Sequence, residues 1–376
     1  MTIAGLSDLS DKTRCPLLVI KVGSSLLVGR EGVRRGWVEG LVAEIAEARA
    51  RGQRVIVVSS GAIALGAARL GLEKGGRGNL ADAQAAAAVG QIALSGLWAE
   101  LLAAQGLTAA QLLLTLDDLE DRRRYLNATA TLTRLLDAGA VPVINENDSV
   151  ATHEIRFGDN DRLAARVAQA AQASAVLLLS DVDGLFDRNP KEPGATLIPQ
   201  VHGVTAEVHA MASRESASGM GSGGMTSKLQ AAEIAELAGI ALAIANGTYD
   251  RPIARAIGQG IGTLFRPARK TGARKAWLGG RLRLKGEIVV DDGAAAALAR
   301  GSSLLAKGVI GVSGSFDRGD PVVIHGADGR PLAHGLAEYD AGECARIMGH
   351  HTSEHAQLLG YAPRPAVIHR DQLVLK

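Results

Sequence analysis

Short apolar runs alternate with longer amphipathic stretches through the first two thirds of the chain. Leu17-Leu-Val-Ile-Lys-Val22, Val55-Ile-Val-Val-Ser59, Val141-Pro-Val-Ile-Asn145, Val176-Leu-Leu-Leu-Ser180 and Ile240-Ala-Leu-Ala-Ile-Ala245 read as strands. They are aliphatic and mostly do not alternate, as expected when both faces of a parallel sheet are covered. The stretches between them, over 33–51, 80–105, 121–138, 160–173 and 225–238, read as helices. Strand–helix alternation predicts an α/β fold: a mainly parallel sheet sandwiched by helices, with right-handed crossovers. Ligands of such sheets sit outside the carboxyl ends of the strands, so the residues after each strand are the ones to inspect for chemistry.

Beyond Arg266-Pro267 the pattern changes. Shorter strand-like runs at 287–290, 321–325 and 366–369 are bounded by glycine turns and interrupted by one helical segment at 293–300. The expected organisation is a large domain over 12–266, a basic linker over 267–284 and a small β-rich domain over 285–376. The cations in and just beyond the linker, Arg269, Lys270, Arg274, Lys275, Arg281, Arg283 and Lys285, have no acid among them. From Pro267 onward 15 Lys or Arg stand against 11 Asp or Glu. Such a stretch is either a solvated connector or a weak polyanion surface.

Composition narrows the class. With 47% hydrophobic but only 3% aromatic residues, the core must be built from Ala, Val, Leu and Ile. No basic segment followed by a long apolar run marks a signal peptide, and no apolar stretch is expected to reach the ~18 residues of a membrane span. Cys15 and Cys344 fit neither a disulfide framework nor a zinc site. The expectation is a reduced, cytoplasmic globular protein, in which the three Asn-x-Ser/Thr matches at Asn127, Asn147 and Asn246 carry no meaning.

The post-strand segments are polar in a specific way. Lys21-Val-Gly-Ser-Ser25 puts a lysine inside an aliphatic strand, costly unless its charge is used or reaches water. Ser59-Ser-Gly-Ala-Ile63 opens a helix, as an ordinary cap or as an anion site. Asn145-Glu-Asn-Asp-Ser149 and Gly158-Asp-Asn-Asp-Arg162 form an amide–carboxylate set that could grip an amino acid by its ammonium and carboxylate groups, or orient lysines or a metal. Ser180-Asp-Val-Asp-Gly-Leu-Phe186 follows another strand. Ser222-Gly-Gly-Met-Thr-Ser-Lys228 precedes a helix with glycines, hydroxyls and a charge suited to phosphate. Gly219-Met-Gly-Ser-Gly-Gly224 satisfies G-x-G-x-x-G, but no strand precedes it and no acid follows at the offset a ribose contact requires. A Walker-type loop and a G-x-S-x-G elbow are absent. Lysines, phosphate turns and an acidic–amide cluster on one sheet edge suit phosphoryl transfer, which is mostly positioning and charge neutralisation.

These segments, with Val58-Ser-Ser-Gly-Ala-Ile63 and Gly223-Gly-Met-Thr-Ser-Lys228, resemble the amino acid kinase family, in its branch acting on the γ-carboxylate of L-glutamate. Gly301-Ser-Ser-Leu-Leu305, Ala333-His-Gly335 and Gly349-His-His351 resemble the PUA domain that many such enzymes carry. The resemblance implies that Lys21 and Lys228 neutralise phosphate oxygens and that Asp161 orients them. It implies glutamate binding by Ser60, Asp148 and Asn160. ATP would be held by Lys21, Ser180, Asp181, Ser222, Gly223, Gly224, Met225, Thr226, Ser227 and Lys228, with Mg²⁺ bridging its phosphates and no metal site built by the protein. It further implies the first step of proline synthesis, inhibition by proline, a dimer or tetramer, and RNA as one conceivable partner of the PUA domain. His351 and His355 have i, i+4 spacing, yet no metal is expected there. The competing readings are a kinase of the same fold acting on N-acetylglutamate or aspartate, and a regulatory RNA-binding protein without catalysis.

Overall fold

The computed structural model describes residues 3–29, 32–150, 159–216, 224–268 and 284–375. The chain divides into two units, residues 1–270 and 271–376. In the first, eight strands form one sheet: β1 (Leu17–Val22), β2 (Arg54–Ser59), β3 (Ala109–Leu114), β4 (Val141–Glu146), β5 (Ala175–Ser180), β6 (Gln200–His202), β7 (Ala241–Asn246) and β8 (Thr263–Arg266). Their spatial order is β3-β4-β2-β1-β5-β7-β8-β6, and every pairing is parallel except β7–β8. The order turns outward in both directions from β1, which makes the carboxyl ends of β1, β2 and β5 the topological switch point.

The longer helices are α1 (Arg35–Ala50), α2 (Ala62–Leu70), α3 (Leu80–Ala104), α4 (Arg122–Asp137), α5 (Asp159–Ala171), α6 (Ala206–Ser216), α7 (Met225–Leu237) and α8 (Pro252–Gln259). Side chains alternate across the sheet. Leu18, Ile20 and Val22 join a core with Val38, Leu41 and Trp98 on one face. Leu17 and Val19 join Leu163, Val167 and Leu229 on the other.

The five predicted strands fall within one residue of β1, β2, β4, β5 and β7. The sequence pattern did not announce β3, β6 or β8. β3 is a half-buried edge strand carrying the exposed Gln111, and β6 is three residues long. The first unit also starts earlier than position 12, because Ile3, Leu6 and Leu9 are buried. Gln53 ties this segment down by donating from Nε2 to the carbonyls of Leu9 and Cys15, each at 2.7 Å. A second correction concerns α3, which is apolar and long enough to cross a bilayer by length and composition. Here one face of it packs on the sheet through Leu94, Trp98, Leu101 and Leu102.

Two backbone features shape the site. Gly61, at the start of α2, has φ +119°, a conformation that a side chain disfavours. Helices α2 and α3 touch backbone to backbone. A Cβ at Gly66 would collide with the carbonyl of Ala86, and one at Gly90 with that of Ala62.

The second unit is a five-stranded sheet of β9 (Gly286–Val290), β10 (Val309–Gly314), β11 (Pro321–Gly326), β12 (Pro331–Leu336) and β13 (Leu373–Leu375), in the order β10-β9-β11-β12-β13. With α9 (Asp292–Ala299), α10 (Ala341–Ile347) and α11 (His355–Leu359) it encloses its own core, which includes Ile288, Phe316, Ile324, Tyr339 and Ile347. The apolar run at 366–369 is not a strand. Ile368 makes an isolated bridge to Leu304 and is buried as part of a crossing loop, while the strand forms at Leu373–Leu375. His351 precedes α11 rather than sharing a helix face with His355, whose Nε2 lies 3.3 Å from the carbonyl of His350.

Candidate active site

Period-two alternation along β1 puts Lys21 on the same sheet face as Leu17 and Val19, the face that α5 and α7 cover. Those helices supply its partners. The Lys21 Nζ is 2.6 Å from Asp161 Oδ1, in the first turn of α5. Lys228 Nζ, in the first two turns of α7, is 3.4 Å from Asp161 Oδ2. Ser227 Oγ donates to the same oxygen at 3.1 Å. Lys21 is 7%, Lys228 9% and Asp161 1% exposed, so two cations share one carboxylate out of reach of bulk water. Burial pushes the Asp161 carboxyl up, but Lys21 and Lys228 outweigh it and hold it below the usual carboxylate range. The trio keeps one unit of positive charge for an incoming anion. Gly23 adjoins it: a Cβ there would lie 3.8 Å from the Lys21 ammonium.

Asn160 precedes Asp161 on α5 and serves a second cluster. Its Nδ2 donates to Ser60 Oγ at 2.8 Å and to Asn145 Oδ1 at 3.1 Å. Asn145, next to last in β4, faces the opposite side of the sheet, where its Nδ2 donates to Gln91 Oε1 of α3 at 2.9 Å. Asn160 Oδ1 is buried without a hydrogen-bond partner among the described residues. Ser60 is held at the end of β2 by its N–H, which donates to the carbonyl of Val22 at 3.1 Å. Behind it the fully buried Trp98 indole donates to Ser59 Oγ at 2.9 Å. Asp148 is 8% exposed and interacts electrostatically with Arg77, which lies just before α3.

At the end of β5, Ser180 Oγ donates to Asp181 Oδ1 at 3.1 Å. Asn246, ending β7, donates from Nδ2 to Asp183 at 3.0 Å, and the Gly247 N–H donates to the carbonyl of Ser180 at 2.7 Å. In the segment leading into α7, Met225 is buried while Gly224 and Thr226 are exposed; Ser222 and Gly223 lie outside the described residues, as does Gly158. The structure therefore brings together Lys21, Asp161, Ser227 and Lys228, and separately Ser60 and Asn160, with adjacent residues of α5 joining the two groups. Sequence reasoning did not single out Gln91, Trp98 or Arg77. Their signal is weak, since one polar or aromatic residue in or beside a helix is ordinary.

Comparison with known proteins sets this geometry in context. Residues 16–246 match the model of the amino acid kinase family, and residues 286–359 match that of the PUA domain. The chain is 70% identical over its full length, and over the full length of the relative, to "Glutamate 5-kinase" of Novosphingobium aromaticivorans. It is 61% identical to the protein of that name from Sphingopyxis alaskensis, over 96% of this chain and 98% of the relative. For that of Zymomonas mobilis the identity is 55%, over 96% and 91%.

Proposed function

The chain belongs to the amino acid kinase family and carries a PUA domain, and from that premise we propose that it transfers the γ-phosphoryl group of ATP to the γ-carboxylate of L-glutamate. It groups with the glutamate 5-kinases, phosphotransferases whose acceptor is a carboxyl group. A γ-carboxylate oxygen attacks the γ-phosphorus, the bond to the bridging β–γ oxygen breaks, and γ-glutamyl phosphate and ADP leave. The nucleophile is already ionised at neutral pH, so the step needs no strong general base. What it needs is charge neutralisation on the phosphoryl oxygens and alignment of the two substrates.

The observation that carries this reading is the buried Lys21–Asp161–Lys228 trio. Asp161 positions the two ammonium groups and is too engaged to act as a base. The lysines then face the oxygens on which charge gathers, in surroundings where water does not screen them. The free Oδ1 of Asn160 suits the substrate ammonium, with Ser60 and Asp148 completing the amino-acid site. Because Asn160 and Asp161 are consecutive, one helical turn would align acceptor and phosphoryl group. ATP enters as its Mg²⁺ complex, held by Ser180, Asp181 and the segment 222–228. In this reading the reaction opens proline synthesis in the cytoplasm, and proline inhibits it.

The test is turnover with MgATP and hydroxylamine, which traps acyl phosphates, on L-glutamate, N-acetylglutamate and L-aspartate in parallel. Hydroxamate from glutamate alone is expected. Product from another acceptor instead would move the substrate assignment, and no product from any of them would remove the catalytic reading.

A further inference from the structure

We propose that Gln91 of α3 is a positioning residue that sets which end of the Asn160 carboxamide faces the amino-acid substrate. The proposal rests on the reading of Ser60 and Asn160 as ligands of glutamate. Gln91 Oε1 accepts from Asn145 Nδ2 at 2.9 Å, which turns Asn145 Oδ1 toward Asn160. Asn145 Oδ1 accepts from Asn160 Nδ2 at 3.1 Å, and the same nitrogen donates to Ser60 Oγ at 2.8 Å. Both hydrogens of that amide are then used, and its oxygen is left buried without a hydrogen-bond partner among the described residues.

A chain of carboxamides has two self-consistent arrangements, because each amide carries a donor end and an acceptor end. In the reverse arrangement Gln91 would donate to Asn145, Asn145 would donate to Asn160, and the Ser60 hydroxyl would donate to Asn160 Oδ1. The unpartnered atom would then be the Asn160 nitrogen. The observed arrangement offers an acceptor, which suits an ammonium group; the reverse offers a donor, which suits a carboxylate or an amide carbonyl. In the observed arrangement Gln91 closes the chain at its far end as the acceptor for Asn145.

Helix α3 is a firm support for that choice. Gly90, next to Gln91, packs against the backbone of Ala62 with no room for a Cβ. Two turns further on, Trp98 is hydrogen-bonded to Ser59. The carbonyl of Gln91 itself accepts from Ser95 Oγ at 2.7 Å.

Gln91→Leu and Gln91→Glu in the full-length protein separate orientation from mere packing. Leucine fills the space and removes the acceptor. Glutamate keeps an acceptor and, when ionised, can only accept. The expected result for Gln91→Leu is a KM for glutamate raised roughly tenfold, the scale of one lost hydrogen bond, with kcat, the KM for ATP and Tm near parental values. Gln91→Glu should keep a glutamate KM below that of Gln91→Leu. The proposal is overturned if Gln91→Leu leaves the glutamate KM unchanged, if the ATP KM rises in step with it, or if Gln91→Glu is as impaired as Gln91→Leu. Failure of the underlying reading looks different: the parent protein itself would form no hydroxamate from glutamate.

Discussion

Each unit of this protein contains a carboxylate flanked by two cations, and the two arrangements differ mainly in depth. In the catalytic unit, Asp161 lies between Lys21 and Lys228, and the three side chains are 1%, 9% and 11% exposed. In the C-terminal unit, Glu338 has a side chain only 10% exposed, but the cations 3.3 Å and 3.8 Å from it, Arg364 and Arg318, have side chains 38% and 26% exposed. The formal charge is the same, two cations to one acid. Near the surface, water and salt screen the surplus, and such pairs contribute little. In the interior the surplus is felt at nearly full strength, and an anionic ligand is the natural group to complete it. Depth, more than composition, separates a charge cluster that water screens from one left open to an anionic ligand.

The largest expected effect comes from disturbing the deep trio. Lys228→Met should lower kcat on the order of 10²- to 10³-fold, the range seen when one preorganised transition-state donor is removed. Stability should change little, because Asp161 keeps Lys21. Asp161→Asn should instead cost about 3–5 kcal/mol by leaving two buried ammonium groups without a counter-ion. Glu338→Gln should cost less, on the order of 1 kcal/mol, because its two arginines still reach water, and should leave turnover intact. Urea unfolding and hydroxamate formation on the three variants check this; equal destabilisation by Asp161→Asn and Glu338→Gln would break the comparison. The pH dependence has a definite sign. The Asp161 carboxyl is held below its ordinary value, so its contribution is complete at neutral pH and is lost only as pH falls below about 4.

Much of this was legible before any coordinates. Lys21 stood out as a charge in an aliphatic strand, and the Asn145–Asp148 and Asp159–Asp161 segments as more amide and acid than a turn requires. The strands buried on both faces left unbroken aliphatic runs, whereas β3 at the sheet edge mixes exposed and buried positions and leaves no clean signature. The run at 366–369 misled for a related reason. Val367 and Ile368 are apolar because a crossing loop buries them, and their N–H groups reach the carbonyl of Leu304 rather than a ladder. Gln91 was invisible because its partner lies 54 residues away and only the tertiary fold brings them together.

A second prediction tests whether the shallow cluster has any part in the reaction. The two units have separate hydrophobic cores. A protein ending at residue 270 should therefore fold and retain glutamate-dependent turnover within a few-fold of the full chain, an effect far smaller than that of Lys228→Met. Loss of turnover in a truncated protein that still unfolds cooperatively would show that residues 271–376 contribute to catalysis, and the contrast between deep and shallow clusters would no longer mark a division of labour.

The smallest effect is the sharpest probe of independence, because each unit carries one buried thiol. Cys15 and Cys344 are 0% and 1% exposed, and burial pushes both up to about 12. At pH 8 the thiolate is then about one part in 10,000, and the native protein should not react with a disulfide reagent over hours. Labelling in increasing urea reports the opening of each unit at its own cysteine, and Cys15→Ser leaves the C-terminal reporter by itself. If separate cores mean separate stabilities, the full chain shows two labelling transitions, and Cys15→Ser removes one while leaving the other at its original midpoint. A single transition that moves as a whole in Asp161→Asn would mean that the shallow unit depends on the deep charge for its own stability, which two self-contained cores do not require.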